Sequence, residues 1–276
     1  MVVKIGALKA LVSFYTIFHM NITQEDMDAM EKRFYLTPLV GLIFGAIILL
    51  ECALILWLSR SIDFGNSIMM AVLVLLTVYA GSKFLHFDGL TDFGDGMIVS
   101  GQQSDHLRAL KDTLVGAGGI GVALITVLCS FAFYSSYAMT PYILMVFPAV
   151  EIFVKIAMVV AASFGRPGNG MAARQVSMTT PMSAVLGIIV GLVAEVVLFI
   201  VAGYVCMLIG MVVPPFNTLL IILIVGTIVS VLVGYMMART ANRVFGMVNG
   251  DILGATNEVS RPFLLFFILL FLSAVI

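Results

Sequence analysis

The residues best suited to chemistry stand in one short stretch, His86-Phe87-Asp88-Gly89-Leu90-Thr91-Asp92-Phe93-Gly94-Asp95-Gly96. It holds three carboxylates in a chain that is 62% hydrophobic and 11% charged. Asp88, Asp92 and Asp95 are spaced i, i+4 and i+7, which is one face of a helix. Carboxylates that close repel one another, and some must take up protons unless a cation lies among them. A hard divalent cation with oxygen ligands suits such a set. His86, two residues before Asp88, is a candidate proton carrier, although a loop histidine more often has no such role.

The same segment continues into Arg108, Lys111 and Asp112, then the run Gly116-Ala117-Gly118-Gly119-Ile120-Gly121. Glycines let backbone N–H groups approach an anion closely. In a membrane they also serve close helix packing, and both readings stand. Acids for a metal, bases for phosphate and glycines at a helix start are the parts that phosphoryl transfer needs. A second polar loop holds Gly165-Arg166-Pro167-Gly168-Asn169-Gly170 and Arg174. Arg166 has the planar fork that clamps phosphate, or it is a positive anchor and nothing more. A third holds Arg239, Asn242, Arg243 and Asn249-Gly250-Asp251, ending in Asn257-Glu258. Asp251 and Glu258, i and i+7 apart, would complete a metal or ribose site facing the triplet. The plainer reading is a solvated turn marked by Asn-Gly.

The elements that must position these residues are membrane helices. The mean hydropathy is +1.16, and a soluble domain has only roughly 45–50% apolar residues. Apolar runs of spanning length recur at about 36–58, 66–85, 118–138, 142–164, 184–211 and 217–238, with a shorter one at 262–276. The expected fold is an all-α polytopic bundle of six to seven transmembrane helices, one integral membrane domain over 1–276. Residues 2–20 carry Lys4 and Lys9 and are expected to form an amphipathic helix at the interface, or a half-inserted one, followed to residue 33 by a polar surface loop and short helix that Asn21 and Thr23 would start. No cleavable signal pattern is expected there. All but Arg60 and Lys155 of the 14 Lys and Arg lie in the N-terminal segment and in the segments 83–117, 165–183 and 239–261. The positive-inside rule then puts these on the cytoplasmic face of the cell membrane, with the C-terminus outside if there are seven crossings.

Inside the spans, Glu51, Glu151, Lys155 and Glu195 are costly at bilayer depth. Glu151 and Lys155, i and i+4, are expected to pair with each other. Cys52, Cys129 and Cys206 lie in separate apolar runs with no ligand spacing. The net charge of −1 speaks against a nucleic-acid partner.

Five segments in order resemble the cobalamin synthase family, the adenosylcobinamide-GDP ribazoletransferases. FLHFDGLTDFGDG resembles the family's HxDGxADxxDG signature. RFYLTPLVGLIFG, LKDTLVGAGGIGVAL, FGRPGNGM and GDILGATNEV resemble its other motifs, covering about residues 33 to 260. The resemblance implies a Mg²⁺-dependent integral membrane transferase at the last stage of vitamin B12 assembly. Adenosylcobinamide-GDP would be joined to α-ribazole or its 5′-phosphate, with release of GMP. By position, Asp88, Asp92 and Asp95 would hold Mg²⁺ and the diphosphate, and Asp95 or His86 would take the hydroxyl proton. Lys111 and Arg166 would neutralise phosphate. Asp112, Asp251, Asn257 and Glu258 would complete the metal or nucleotide site. Membrane lipid is an implied partner, and a homo-oligomer is compatible with the sequence. Thr91 and Phe93-Gly94 depart from the signature without touching its carboxylates. RPGNG lacks the acid of the family's RPEG loop, which weakens a metal role there.

Two other classes compete. A CDP-alcohol phosphatidyltransferase would need Ala-Arg where Thr91-Asp92 stand. A secondary transporter would carry its polar groups at mid-membrane and often paired repeats; here the carboxylate cluster lies in loops on one face and no repeat is evident, and coupled transport would instead put weight on Glu51, Glu151 and Glu195.

Overall fold

The computed structural model describes residues 2–275. It is helical almost throughout. The helices, in order, are α1 (Val2–Tyr15), α2 (Gln24–Lys32), α3 (Pro38–Ile62), α4 (Ser67–Gly81), α5 (Leu85–Ile98) and α6 (Gln103–Leu110). Then come α7 (Ala117–Ser136), α8 (Ile143–Phe164), α9 (Met171–Met178), α10 (Pro181–Leu208), α11 (Phe216–Val244) and α12 (Gly250–Val275). Among the described residues, α7, α8, α10, α11, α12 and a unit of α3 with the turn before it are long and apolar enough to cross a membrane. With α4 and α5 taken as one bent span there are seven. The chain is therefore a multi-pass membrane protein.

The bundle is built round α8, which is buried along its whole apolar window. It packs against α3, α10, α11 and α12. Without a hydrophobic force between helices in lipid, close backbone approach does this work. At Gly45 on α3, a Cβ would lie 2.8 Å from the Pro148 carbonyl oxygen of α8.

Two elements differ from the sequence expectation. Helix α1 ends at Tyr15; it buries Ala7, Ala10, Leu11, Val12 and Tyr15, and its Lys9 pairs with Asp26 of the next helix. It packs on α2 and α3, so it is part of the bundle and not an amphipathic surface helix. The polar segment after it forms α2, started by a reciprocal cap between Thr23 and Asp26. The second difference is at the far end. The 15-residue apolar run is only the second half of the 26-residue α12, because Gly250 to Arg261 is helical and not loop.

Helices α4 and α5 meet at 90°. The corner is made by Lys83 and Phe84, both at φ 56°, a left-handed conformation that side chains disfavour. Helix α5 thus turns at a right angle from α4 and packs against α7 and α12. That corner delivers the acidic stretch as a helix lying over the other polar segments.

Candidate active site

Helix α5 lies against α12 and α7. The contact with α12 is set by two glycines. A Cβ on Gly89 would lie 2.6 Å from the Asp251 carbonyl oxygen, and one on Gly254 would lie 3.2 Å from the His86 Cα. Only small residues permit so close a crossing, and it brings the first turn of α12 onto the first turn of α5. Asp88 and Asp251 then line one cavity of about 470 Å³. Lys111, Asn169, Asn249 and Glu31 line it as well, so the acidic, Gly-Asn and Asn-Gly-Asp segments do converge. Asn249 accepts the N–H of Ile252 at the start of α12 and donates to Asp251 Oδ2 at 2.6 Å, fixing that carboxylate.

Half-buried Asp92 follows Asp88 by one turn. Burial, then the charges of Asp251, Asp88 and Asp95, push its carboxyl up from 3.8 to about 7. Asp95 is turned to another task. Its two oxygens accept the N–H groups of Gly116 and Gly119 at 2.6 and 2.7 Å. The glycine run at the start of α7 does hold an anion, and the anion is Asp95 of the same chain. Asp95 thus serves as a tie between α5 and α7, and it does not line the cavity that Asp88 and Asp251 share. Asp112 is exposed and accepts the Leu114 N–H within its own turn, and it does not line the cavity.

Two expected site residues are displaced inward. Asn257 and Glu258 lie about 10 Å further along α12 than Asp251, from the helical rise, and both are fully buried. Glu258 pairs with Arg261 and accepts the Tyr79 hydroxyl at 3.0 Å. Arg261 also binds Glu151 at 2.9 Å. The expected Glu151–Lys155 pair is absent among the described residues. Lys155 Nζ instead lies 2.7 Å from both His86 Nε2 and Asn257 Oδ1. Glu258 is therefore spent on a buried ion triad and is not a metal ligand here, and Asn257 braces Lys155 and not a ligand. Removing one member of such a triad costs about 3–5 kcal/mol.

His86 is buried yet lines the cavity, and its ring stacks on Tyr15 at 5.5 Å. Burial and the nearby Lys155 and Arg261 charges hold its pKa well below the usual imidazole range. With Nε2 facing the Lys155 ammonium, Nδ1 is the nitrogen left for another partner. Arg166 does not line this cavity; it lines a separate one with Arg239 and Arg243.

The sequence reading missed the apolar wall. Phe14, Tyr15, Met27 and Met30 of α1 and α2 line the cavity. Arg174 of α9 holds α2 in place through Asp28 and Glu31, at 3.0 and 3.1 Å. Nothing in the composition of those segments signalled the contact, except that Glu31 and Arg174 are oppositely charged.

Among the described residues, no three His, Cys, Asp or Glu side chains converge as a closed metal cage. Asp88, Asp251 and Glu31 line an open cleft instead, with Asp92 one turn behind Asp88 and outside the lining. Hard oxygen donors, with a neighbouring Asp92 whose charge is disfavoured first by burial and then by the other carboxylates, fit a cation that keeps several waters and shares a substrate's phosphates, as Mg²⁺ does.

A multi-pass helical protein with an acidic cleft, one lysine and a lipophilic wall at its polar face has the parts of a membrane-embedded group-transfer enzyme. The family model described as cobalamin-5-phosphate synthase matches residues 7–269, so the chain belongs to that family and is a transferase. It is 28% identical to an adenosylcobinamide-GDP ribazoletransferase of Methanococcoides burtonii, over 98% of this chain and 93% of that one. A protein of the same name from Methanocella arvoryzae is 30% identical over 93% and 92% of the two chains. One from Fusobacterium nucleatum is 25% identical over 95% of each. No solved structure matches.

Proposed function

We propose that this chain joins adenosylcobinamide-GDP to α-ribazole or its 5′-phosphate, releasing GMP, at the last stage of cobalamin synthesis. Family membership and the relatives' names support the substrates. The observation that carries the chemistry is the glycine crossing that brings Asp88 of α5 and Asp251 of α12 onto one cavity, with Asp92 one turn behind Asp88 and within reach of both charges.

In this reading the ribose 3′ hydroxyl oxygen attacks the phosphorus bound to the aminopropanol arm. The bond from that phosphorus to the bridging oxygen breaks, and GMP leaves with the bridging oxygen. Asp88, Asp92 and Asp251 would hold Mg²⁺, which when bound neutralises the diphosphate and stabilises the leaving phosphate. The hydroxyl proton would pass to a cleft carboxylate left free of the metal. Lys111, beside Asp251 in the cavity, adds positive charge for the phosphates. Phe14, Tyr15, Met27 and Met30 give a planar base an apolar surface. The polar face is cytoplasmic and the membrane is the cell membrane, as the Lys and Arg bias supports.

The test is GMP release by the purified protein in detergent, given both substrates. With Mg²⁺, GMP is expected in step with cobalamin product, and EDTA is expected to stop both. GMP without ribazole incorporation, or release untouched by EDTA, contradicts the proposal.

A further inference from the structure

A second cavity, of about 400 Å³, opens where α8 and α11 end, and it shares no residue with the acidic cleft. It is lined by Phe164, Arg166, Tyr235, Arg239, Asn242 and Arg243. Three guanidiniums face one hollow, no carboxylate lines it, and among the described residues none of the three side chains has an ion-pair partner. The three side chains are exposed, so water screens their mutual repulsion, and a phosphate between them would offset what remains with charge-assisted hydrogen bonds.

The hollow is held in shape. Asn242 Oδ1 accepts the Arg166 N–H at 2.8 Å, and its amide donates to the Phe164 carbonyl at 2.9 Å. The Arg166 carbonyl accepts the Val248 N–H at 2.7 Å. The Phe164 and Tyr235 rings meet edge to face at 5.4 Å. The position along α11 is equally specific. Ile224, Ile228, Leu232 and Tyr235 are exposed, in a stripe of helical spacing on an apolar helix. Arg239 and Arg243 extend that stripe by one and two turns. A lipid-facing stripe that ends in arginines meets the headgroup layer there, and basic pockets at helix ends take anionic headgroups.

We propose that this cavity is a phosphate-binding site distinct from the acidic cleft, and that the phosphate is presented by an anionic membrane lipid. The same chemistry would accept a free phosphate, and the test separates the two sources.

Full-length protein in neutral detergent is titrated with phosphatidylglycerol, phosphatidylcholine or inorganic phosphate, and bound lipid is counted by native mass spectrometry. Phosphatidylglycerol is expected to be retained and phosphatidylcholine not. Arg239→Gln with Arg243→Gln should weaken retention about tenfold or more. Arg108→Gln, on an exposed arginine elsewhere, should leave it unchanged and serves as a control for net charge. Inorganic phosphate that competes with the lipid at this cavity, and loses its effect in the double variant, supports the phosphate site with a soluble source. Unchanged retention in a folded double variant, or equal loss in Arg108→Gln, overturns the proposal.

Discussion

Asp92 sits where burial and three other carboxylates all disfavour its charge. Its folded pKa of about 7 lies above the ordinary 3.8, so the folded state holds a proton that the unfolded chain has already released. Stability without a cation must then fall as pH rises from about 3.8 to about 7, and level off above that. Mg²⁺ should reverse the loss at the upper end, because it replaces the proton. The expected outcome is a melting temperature that drops over this window in EDTA, recovers on adding Mg²⁺ at pH 8, and shows less of either effect in Asp92→Asn. A flat profile with no Mg²⁺ response contradicts the assignment of Asp92. At this scale the sequence was only partly readable. Spacing placed Asp88, Asp92 and Asp95 on one helical face, yet helix periodicity cannot say which neighbour that face meets. Asp95 meets the N–H groups of Gly116 and Gly119, and Asp88 meets the cavity. Glu258 was misjudged because a residue seven positions after Asp251 was taken as loop. In the helix it points to Arg261 in the interior.

The elements carry the geometry through glycine. Gly89→Ala puts a methyl group 2.6 Å from a backbone oxygen and 2.9 Å from the Cα of Asp251, so one helix must move. Gly254→Ala meets the His86 backbone at 3.2 Å and needs a smaller adjustment. Overpacking of this kind costs about 1–3 kcal/mol. Gly89→Ala is expected to lose most transferase activity in a protein that still folds, and Gly254→Ala to lose less; matched assays of GMP release and melting temperature check this. Equal, full activity in both would show that the crossing distance does not matter. The apolar runs were legible as α3, α4, α7, α8, α10 and α11, within a few residues at most ends. What was not legible was helix inside polar stretches. Apart from α5, whose aspartate spacing marks a helical face, α6, α9 and the first half of α12 are polar or glycine-rich, and their helicity comes from tertiary contact and caps that local composition does not display.

Over the whole molecule, polar segments far apart in sequence meet on one face. The charge bias along the chain already implied this for the segments around 83–117, 165–183 and 239–261. Hydropathy could not show that α1 and α2 close the same cavity, since an apolar helix beside the bundle and one on the membrane surface read alike. The interior ion triad of Glu151, Arg261 and Glu258 was hidden for a related reason: Arg261 looked like a loop charge until α12 proved continuous. The central claim is that carboxylates from α5 and α12 act as one unit in phosphoryl transfer. Asp92→Asn and Asp251→Asn, made singly and together and assayed for GMP release at saturating Mg²⁺, test it most directly. Each single change is expected to lower kcat by about 10²-fold or more, with the double variant little worse than the poorer single, as for groups that act together. Near-full activity in either single variant, or losses that multiply in the double, would contradict the account.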